Sequence, residues 1–153
     1  MLSERAYAKQ VLTYVNSRNY ADALRLALEM AKNYPSSFLS AFILSKAYFW
    51  NDMYDDAESH ATKAVSYAKN ENDRNRARFF LSLVYIQKDD LRKAYEILDQ
   101  IPKSSLDPYY WELKVILDLA LDRGSEDDFK RLYLLNREMA EKLLIEIMVR
   151  YKV

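Results

Sequence analysis

The chain has 153 residues, one glycine, three prolines, no cysteine and one histidine, with 23 Lys+Arg against 23 Asp+Glu and a formal net charge of zero. Electrical neutrality argues against a predominantly electrostatic binder of nucleic acid or membrane surface. The missing cysteines exclude a disulfide frame, a thiolate nucleophile and cysteine-bound zinc, and the scarcity of helix breakers fits a nearly all-helical chain.

Apolar periodicity predicts nine helices, at about 4–17, 20–33, 37–50, 53–69, 73–87, 90–101, 108–122, 126–136 and 137–152. They read as four hairpins and a terminal helix. In the first unit Tyr7, Val11 and Tyr14 precede the polar break Asn16-Ser17-Arg18-Asn19, and Ala23 and Pro35 follow. In the second, Leu44, Ser45 and Tyr48 share one helix face and Asn51-Asp52 breaks the pattern. A small-residue stripe then runs through Ala57, Ala61, Ala64, Val65 and Ala68. The third repeats this with Leu81, Ser82, Tyr85, the break Gln87-Lys88-Asp89-Asp90, and Ala94. Small side chains permit close helix approach, and a tyrosine can lie across the gap with its hydroxyl toward a polar partner.

Acidic residues stand where second helices begin: Asp22, Asp55-Asp56, Asp89-Asp90 and Glu126-Asp127-Asp128. Carboxylates there satisfy free amides and favour the positive dipole end, which is expected here in preference to a metal site. Asp107-Pro108 reads as an N-cap and first helical residue. Gly124 reads as a C-cap, and Ser125 with Asp128 as a capping-box-like start. The junction near Asn136 is weakly punctuated, so 126–152 could be one long helix. Ala140, Leu143, Leu144, Ile147, Met148 and Tyr151 make the apolar stripe of an amphipathic terminal helix that needs a partner surface.

Three tyrosines, Tyr14, Tyr48 and Tyr85, are each followed nine residues later by an alanine, and the alanines Ala23, Ala57 and Ala94 are spaced by 34 and 37 residues. Over roughly residues 4 to 104 this pattern resembles the tetratricopeptide repeat. The chain departs from that pattern in places. Ser or Val stands for the family's glycine, Ala27 and Ala61 for the aromatic of the second helix, and two of three closing prolines are missing. The resemblance implies an all-α, right-handed superhelical stack of antiparallel helix hairpins, a tetratricopeptide-like α-solenoid. We expect one domain over 1–153, with repeats at about 4–37, 38–71 and 75–106, a divergent hairpin at 107–136 and a C-terminal helix at 137–152.

The same resemblance implies that first helices line a concave groove. The face opposite Leu–Ser–Tyr carries Phe42, Lys46 and Phe49 with Trp50 at its flank, then Phe79, Leu83 and Ile86 with Arg76 and Phe80 flanking; in the first unit it carries Ala8, Leu12 and Val15. These helices are apolar almost all round, so something covers the second face: neighbouring first helices, a ligand or partner, or the C-terminal helix. The expected function is a protein–protein interaction scaffold that binds a peptide, helix or partner protein. Its binding residues are Phe42, Lys46, Phe49, Trp50, Arg76, Phe79, Phe80 and Leu83, with Lys46 and Arg76 aligning an acidic or carbonyl group. The alternative is a structural module whose aromatic surface or C-terminal helix makes a homo-oligomer. Ala8, Leu12, Ile43 and Phe80 stand where a family subset grips acidic chaperone tails with polar side chains, so that activity is not expected; only Arg76 fits it.

No catalytic residue, metal or cofactor is expected. His60 has no second histidine or cysteine beside it, Gly124 cannot alone form a phosphate loop, and Arg74, Arg76 and Arg78 split around a helix. The start Met-Leu-Ser-Glu-Arg lacks a signal-peptide apolar core, and no apolar run reaches the ~18 residues of a membrane span. A cytoplasmic protein without nucleic-acid binding or membrane insertion is therefore expected.

Overall fold

The computed structural model describes residues 2–102, 108–120 and 126–143. Every regular element among them is an α-helix. The chain divides into two compact units, Met1–Asp90 and Leu91–Val153. The first holds α1 (Glu4–Asn16), α2 (Tyr20–Asn33), α3 (Phe38–Trp50), α4 (Tyr54–Tyr67) and α5 (Glu71–Gln87); the second holds α6 (Leu91–Asp99), α7 (Pro108–Ala120) and α8 (Glu126–Leu135), followed by helix at 137–143.

In the first unit each helix packs on the next, and α3 also touches α1 and α5. The alanine register explains the close approach. Ala23, Ala27, Ala57, Ala61 and Ala64 are all fully buried, and so is Ala47 on the facing side of α3. A longer side chain at any of them would push the helices apart. Ser45, which stands where the repeat pattern has glycine, is equally buried, and its hydroxyl donates to the Ala57 carbonyl at 2.7 Å. The hydroxyl thus fits the gap because it finds an acceptor there.

The polar breaks are three copies of one turn. The amides of Asn19, Met53 and Asp90 donate to the carbonyls of Tyr14, Tyr48 and Tyr85 at 2.8, 3.0 and 2.8 Å. One residue earlier, Arg18, Asp52 and Asp89 take left-handed φ of 58°, 59° and 60°. This six-residue loop-back is the Schellman closure, and it satisfies carbonyls that the helix end leaves free. Glycine ordinarily occupies its left-handed position. The chain builds it three times without one.

Helix starts follow two rules. First helices α1, α3 and α5 are capped by Ser3, Ser37 and Asn70, whose side chains accept from the amides of Ala6, Ser40 and Asp73. Second helices α2 and α4 begin at Asn19 and Met53 with no side-chain cap. The acidic residues there act by the dipole and by ion pairs, Asp22 with Arg25 at 2.9 Å and Asp55 with Lys88 at 2.7 Å, rather than by capping.

In the second unit α7 packs against α6 and α8. Pro108 opens α7 as its position predicts. Tyr110, Trp111, Val115 and Leu117 of α7 are buried, together with Leu98, Leu132, Ala140 and Leu143. The segment after 126 is two helices. Asn136 interrupts it, and its side chain accepts from the Met139 amide at 3.1 Å, an N-cap that starts the helix at 137. Asp107, Gly124, Ser125 and the stripe residues Leu144, Ile147, Met148 and Tyr151 lie outside the described residues.

Candidate functional site

The expected binding face lies on α3 and α5, within the first unit. Phe42 and Phe80 are 3% and 7% exposed and meet edge to face, with ring centres 5.9 Å apart. Phe49 packs on Phe80 at 5.4 Å, on Trp50 at 6.1 Å and on Tyr54 at 5.5 Å. The four phenylalanine and tryptophan side chains therefore form one continuous aromatic layer. Phe42 and Phe80 are its buried floor, whereas Phe49 and Trp50 are half-buried at its edge. Phe79 and Leu83 are half-buried on α5 and make no ring stacking or ionic contact with this layer among the described residues.

Two cations cover the floor. The Lys46 Nζ stands 4.3 Å from the Phe42 ring centre and 5.9 Å from that of Phe80. The Arg76 guanidinium carbon is 5.4 Å from the Phe42 ring. Aromatic faces attract cations, so both side chains have a reason to lie flat over the rings. Their electrostatic situations differ. Arg76 is exposed and pairs with Asp73 at 3.3 Å. Lys46 is half-buried and has no acidic partner among the described residues. Burial, and then the neighbouring Arg76 charge, push its ammonium below the ordinary lysine value. Arg74 and Arg78, which flank Arg76 in sequence, are held by Glu71 of their own helix.

Sequence reading did not anticipate a pocket at the end of this layer. Tyr20, Phe49, Trp50, Asp52, Tyr54 and Gln87 line an open cavity of about 360 Å³. Its signal was present as three aromatic residues and one acid at the α3–α4 turn, but Asp52 was read only as a turn former. Also unanticipated are the buried charges of α7. Lys114 and Asp118 are 2% and 1% exposed. Lys114 pairs with Asp99 at 3.0 Å and stands 4.8 Å from the Tyr95 ring centre. Asp118 lies beside Asp128 and Tyr95, and desolvation first, then Asp128, raise its pKa to about 7. Their i, i+4 spacing in a mostly apolar helix was the available clue.

His60 sits half-buried with its ring 5.2 Å from that of Tyr48 and its Nδ1 2.9 Å from the Asp56 carbonyl oxygen. No group of three or more His, Asp or Glu among the described residues is placed to hold a metal ion. None of the described helices is long and apolar enough to cross a membrane.

The tetratricopeptide repeat family model matches residues 49–117, from the aromatic layer of α3 through α7. The fold is tetratricopeptide-like. Solved structures agree on the fold. Pseudomonas aeruginosa PilF superposes with a TM-score of 0.80 at 16% identity, over 97% of this chain and 69% of that one. MamA of Desulfovibrio magneticus gives 0.75 at 16%, over 89% and 77%. A Podospora anserina protein of kinesin-light-chain type, with nearly identical tetratricopeptide-like repeats, gives 0.73 at 15%, over 95% and 92%. At these identities the likeness shows the fold alone. No curated protein is significantly similar in sequence. Tetratricopeptide repeats are generally protein–protein interaction scaffolds and typically non-catalytic, so the layer and its cations are the part of this chain to ask about binding.

Proposed function

We propose that this tetratricopeptide-like chain holds a peptide or helix of a partner protein against the α3–α5 face. Phe49 and Trp50 supply accessible apolar contact, with Phe79 and Leu83 on the same reading, and Phe42 and Phe80 hold the layer from beneath. Lys46 and Arg76 align an acidic or carbonyl group of the partner. The observation that carries this reading is Lys46, a half-buried ammonium lying over two rings with no acidic partner among the described residues. An unpaired, partly desolvated charge costs stability, and a partner's oxygen would complete it.

The test compares captured proteins rather than capture alone. Bait chains of wild type, Lys46→Met and Arg76→Ala are crosslinked in native cell extract and the partners quantified. The reading expects one set of partners to be depleted in both variants while circular dichroism stays unchanged. Equal recovery by all three baits would refute it.

Self-association is the second reading, favoured by Tyr133, Leu134 and Leu135 on α8, which are 38%, 82% and 37% exposed. Three consecutive exposed apolar residues are an unusual surface. Light scattering decides it: a dimer in the wild type that Leu134→Lys converts to monomer supports this reading, and a concentration-independent monomer removes it.

A further inference from the structure

The cavity at the α3–α4 turn has a composition that selects for charge. Four of its six lining residues are aromatic: Tyr20, Phe49, Trp50 and Tyr54. Phe49 is inclined at 83° to Trp50 and at 63° to Tyr54, so the rings point their faces in several directions rather than stacking in one plane. The remaining two are Asp52 and Gln87. Asp52 is exposed, and its only side-chain bond among the described residues is the one it accepts from the Tyr54 hydroxyl at 2.9 Å. It makes no ion pair among the described residues. Lys88, which follows the cavity residue Gln87 in sequence, is committed to Asp55 at 2.7 Å and Glu58 at 2.6 Å.

The frame is fixed by backbone chemistry. The Asp52 amide donates to the Phe49 carbonyl, and the Met53 amide to that of Tyr48, both at 3.0 Å. The Asn51 side-chain amide donates to the Tyr20 carbonyl at 2.9 Å and to that of Ala47 at 2.8 Å, tying the start of α2 to the end of α3. Rings and carboxylate are thus held in position before any ligand arrives, which lowers the ordering cost of binding.

Aromatic faces carry negative potential, and a carboxylate adds a full negative charge. A neutral apolar ligand would use the rings and leave Asp52 without a role. An anion would be repelled. A cation with an alkyl shell uses both. We propose that this cavity binds an alkylammonium cation, of the kind a lysine side chain presents with or without methyl groups. The site goes beyond the α3–α5 binding face. It shares Phe49 and Trp50 with that face but does not depend on a protein partner being held there.

The test uses small probes on the full chain. Blocked lysine, blocked trimethyllysine and the uncharged tert-butyl analogue of trimethyllysine are titrated while the Trp50 indole and Asp52 amide signals are followed by NMR. Trimethyllysine is expected to bind at least about fivefold more tightly than its neutral analogue, the scale of one cation–π contact. Tighter binding of trimethyllysine than of lysine marks a methylated source, and the reverse marks an unmethylated one. Asp52→Asn keeps the shape and tolerates the left-handed turn, and it should weaken both cations several-fold without affecting the neutral analogue. Trp50→Ala should abolish the shift of the Asp52 amide. Equal affinity for the cation and its neutral analogue, or no shift with any probe at millimolar concentration, would overturn the proposal. Because no partner protein is used, that result would leave the Lys46 reading intact.

Discussion

Ser45 donates its hydroxyl to the carbonyl of Ala57 across the α3–α4 interface, and neither residue has measurable solvent exposure. The bond states how tightly these helices approach. Ala57→Leu adds methylenes where neither helix can yield without breaking it, so a loss of about 1–3 kcal/mol is expected. Chemical denaturation would measure this, and an unchanged midpoint would argue against close packing at that alanine.

The hairpin turns offer a change in the opposite direction. Arg18 is exposed and holds a φ of 58°, a region disfavoured by a Cβ. Its amide already donates to the Val15 carbonyl at 2.9 Å, and a glycine keeps that bond. Arg18→Gly should therefore stabilise the chain by about 0.5–1 kcal/mol, with the relief of strain exceeding the added unfolded-state entropy. A thermal melt is sufficient. Asp52→Gly should gain less, because it also removes the acceptor for the Tyr54 hydroxyl.

Lys46 sets stability against binding. Cation–π attraction from Phe42 and Phe80 favours its charge, while burial, and then Arg76, oppose it and lower its ammonium pKa. Lys46→Met keeps the stem and discards the charge, so the variant should be as stable as wild type or up to about 1 kcal/mol more so. Partner recovery should fall in the same variant. A destabilised variant with full recovery would assign Lys46 to structure alone.

What the sequence made legible was whatever depends on side-chain size at fixed spacing. Ala23, Ala57 and Ala94 are all fully buried as their register requires, and helix bounds lie within about two residues of expectation. Features that depend on which side chains meet across helices were less legible. Periodicity puts Phe42 and Phe49 on one face, yet burial separates them into floor and edge: Phe80 of α5 packs on both rings, and Phe49, next to the α3–α4 turn, stays half-buried. Sequence reading did not single out Ser3, Ser37 and Asn70 as caps, and Asn136, at a junction that looks weakly punctuated in sequence, splits what could have been one helix. The Asp118–Asp128 contact was not legible, since residues in two separate helices meet only after folding.

That carboxyl pair should give the second unit a pH dependence of its own. The groups facing Asp118 are Lys114 on its own helix, Tyr95 of α6 and Asp128 of α8, with Asp99 of α6 holding Lys114. One oxygen of Asp118 is buried without a hydrogen-bond partner among the described residues. Desolvation and the second carboxylate raise its pKa to about 7 in the folded chain, against an ordinary value of 3.8. The folded state therefore binds more protons than the unfolded state between those limits. The sign follows: this contribution is fully present below the unfolded value and is lost as pH rises through the folded one. Stability should fall between about pH 4 and pH 7 by up to about 4 kcal/mol from this group, and then level off. Asp118→Asn keeps the shape without the charge, so it should flatten that window and exceed wild type at pH 8. The chain has two tryptophans, and in a Trp50→Phe background Trp111 of α7 reports the second unit alone by fluorescence. Parallel pH profiles for wild type and Asp118→Asn would mean that Asp118 stays ionised, with Lys114 compensating its burial.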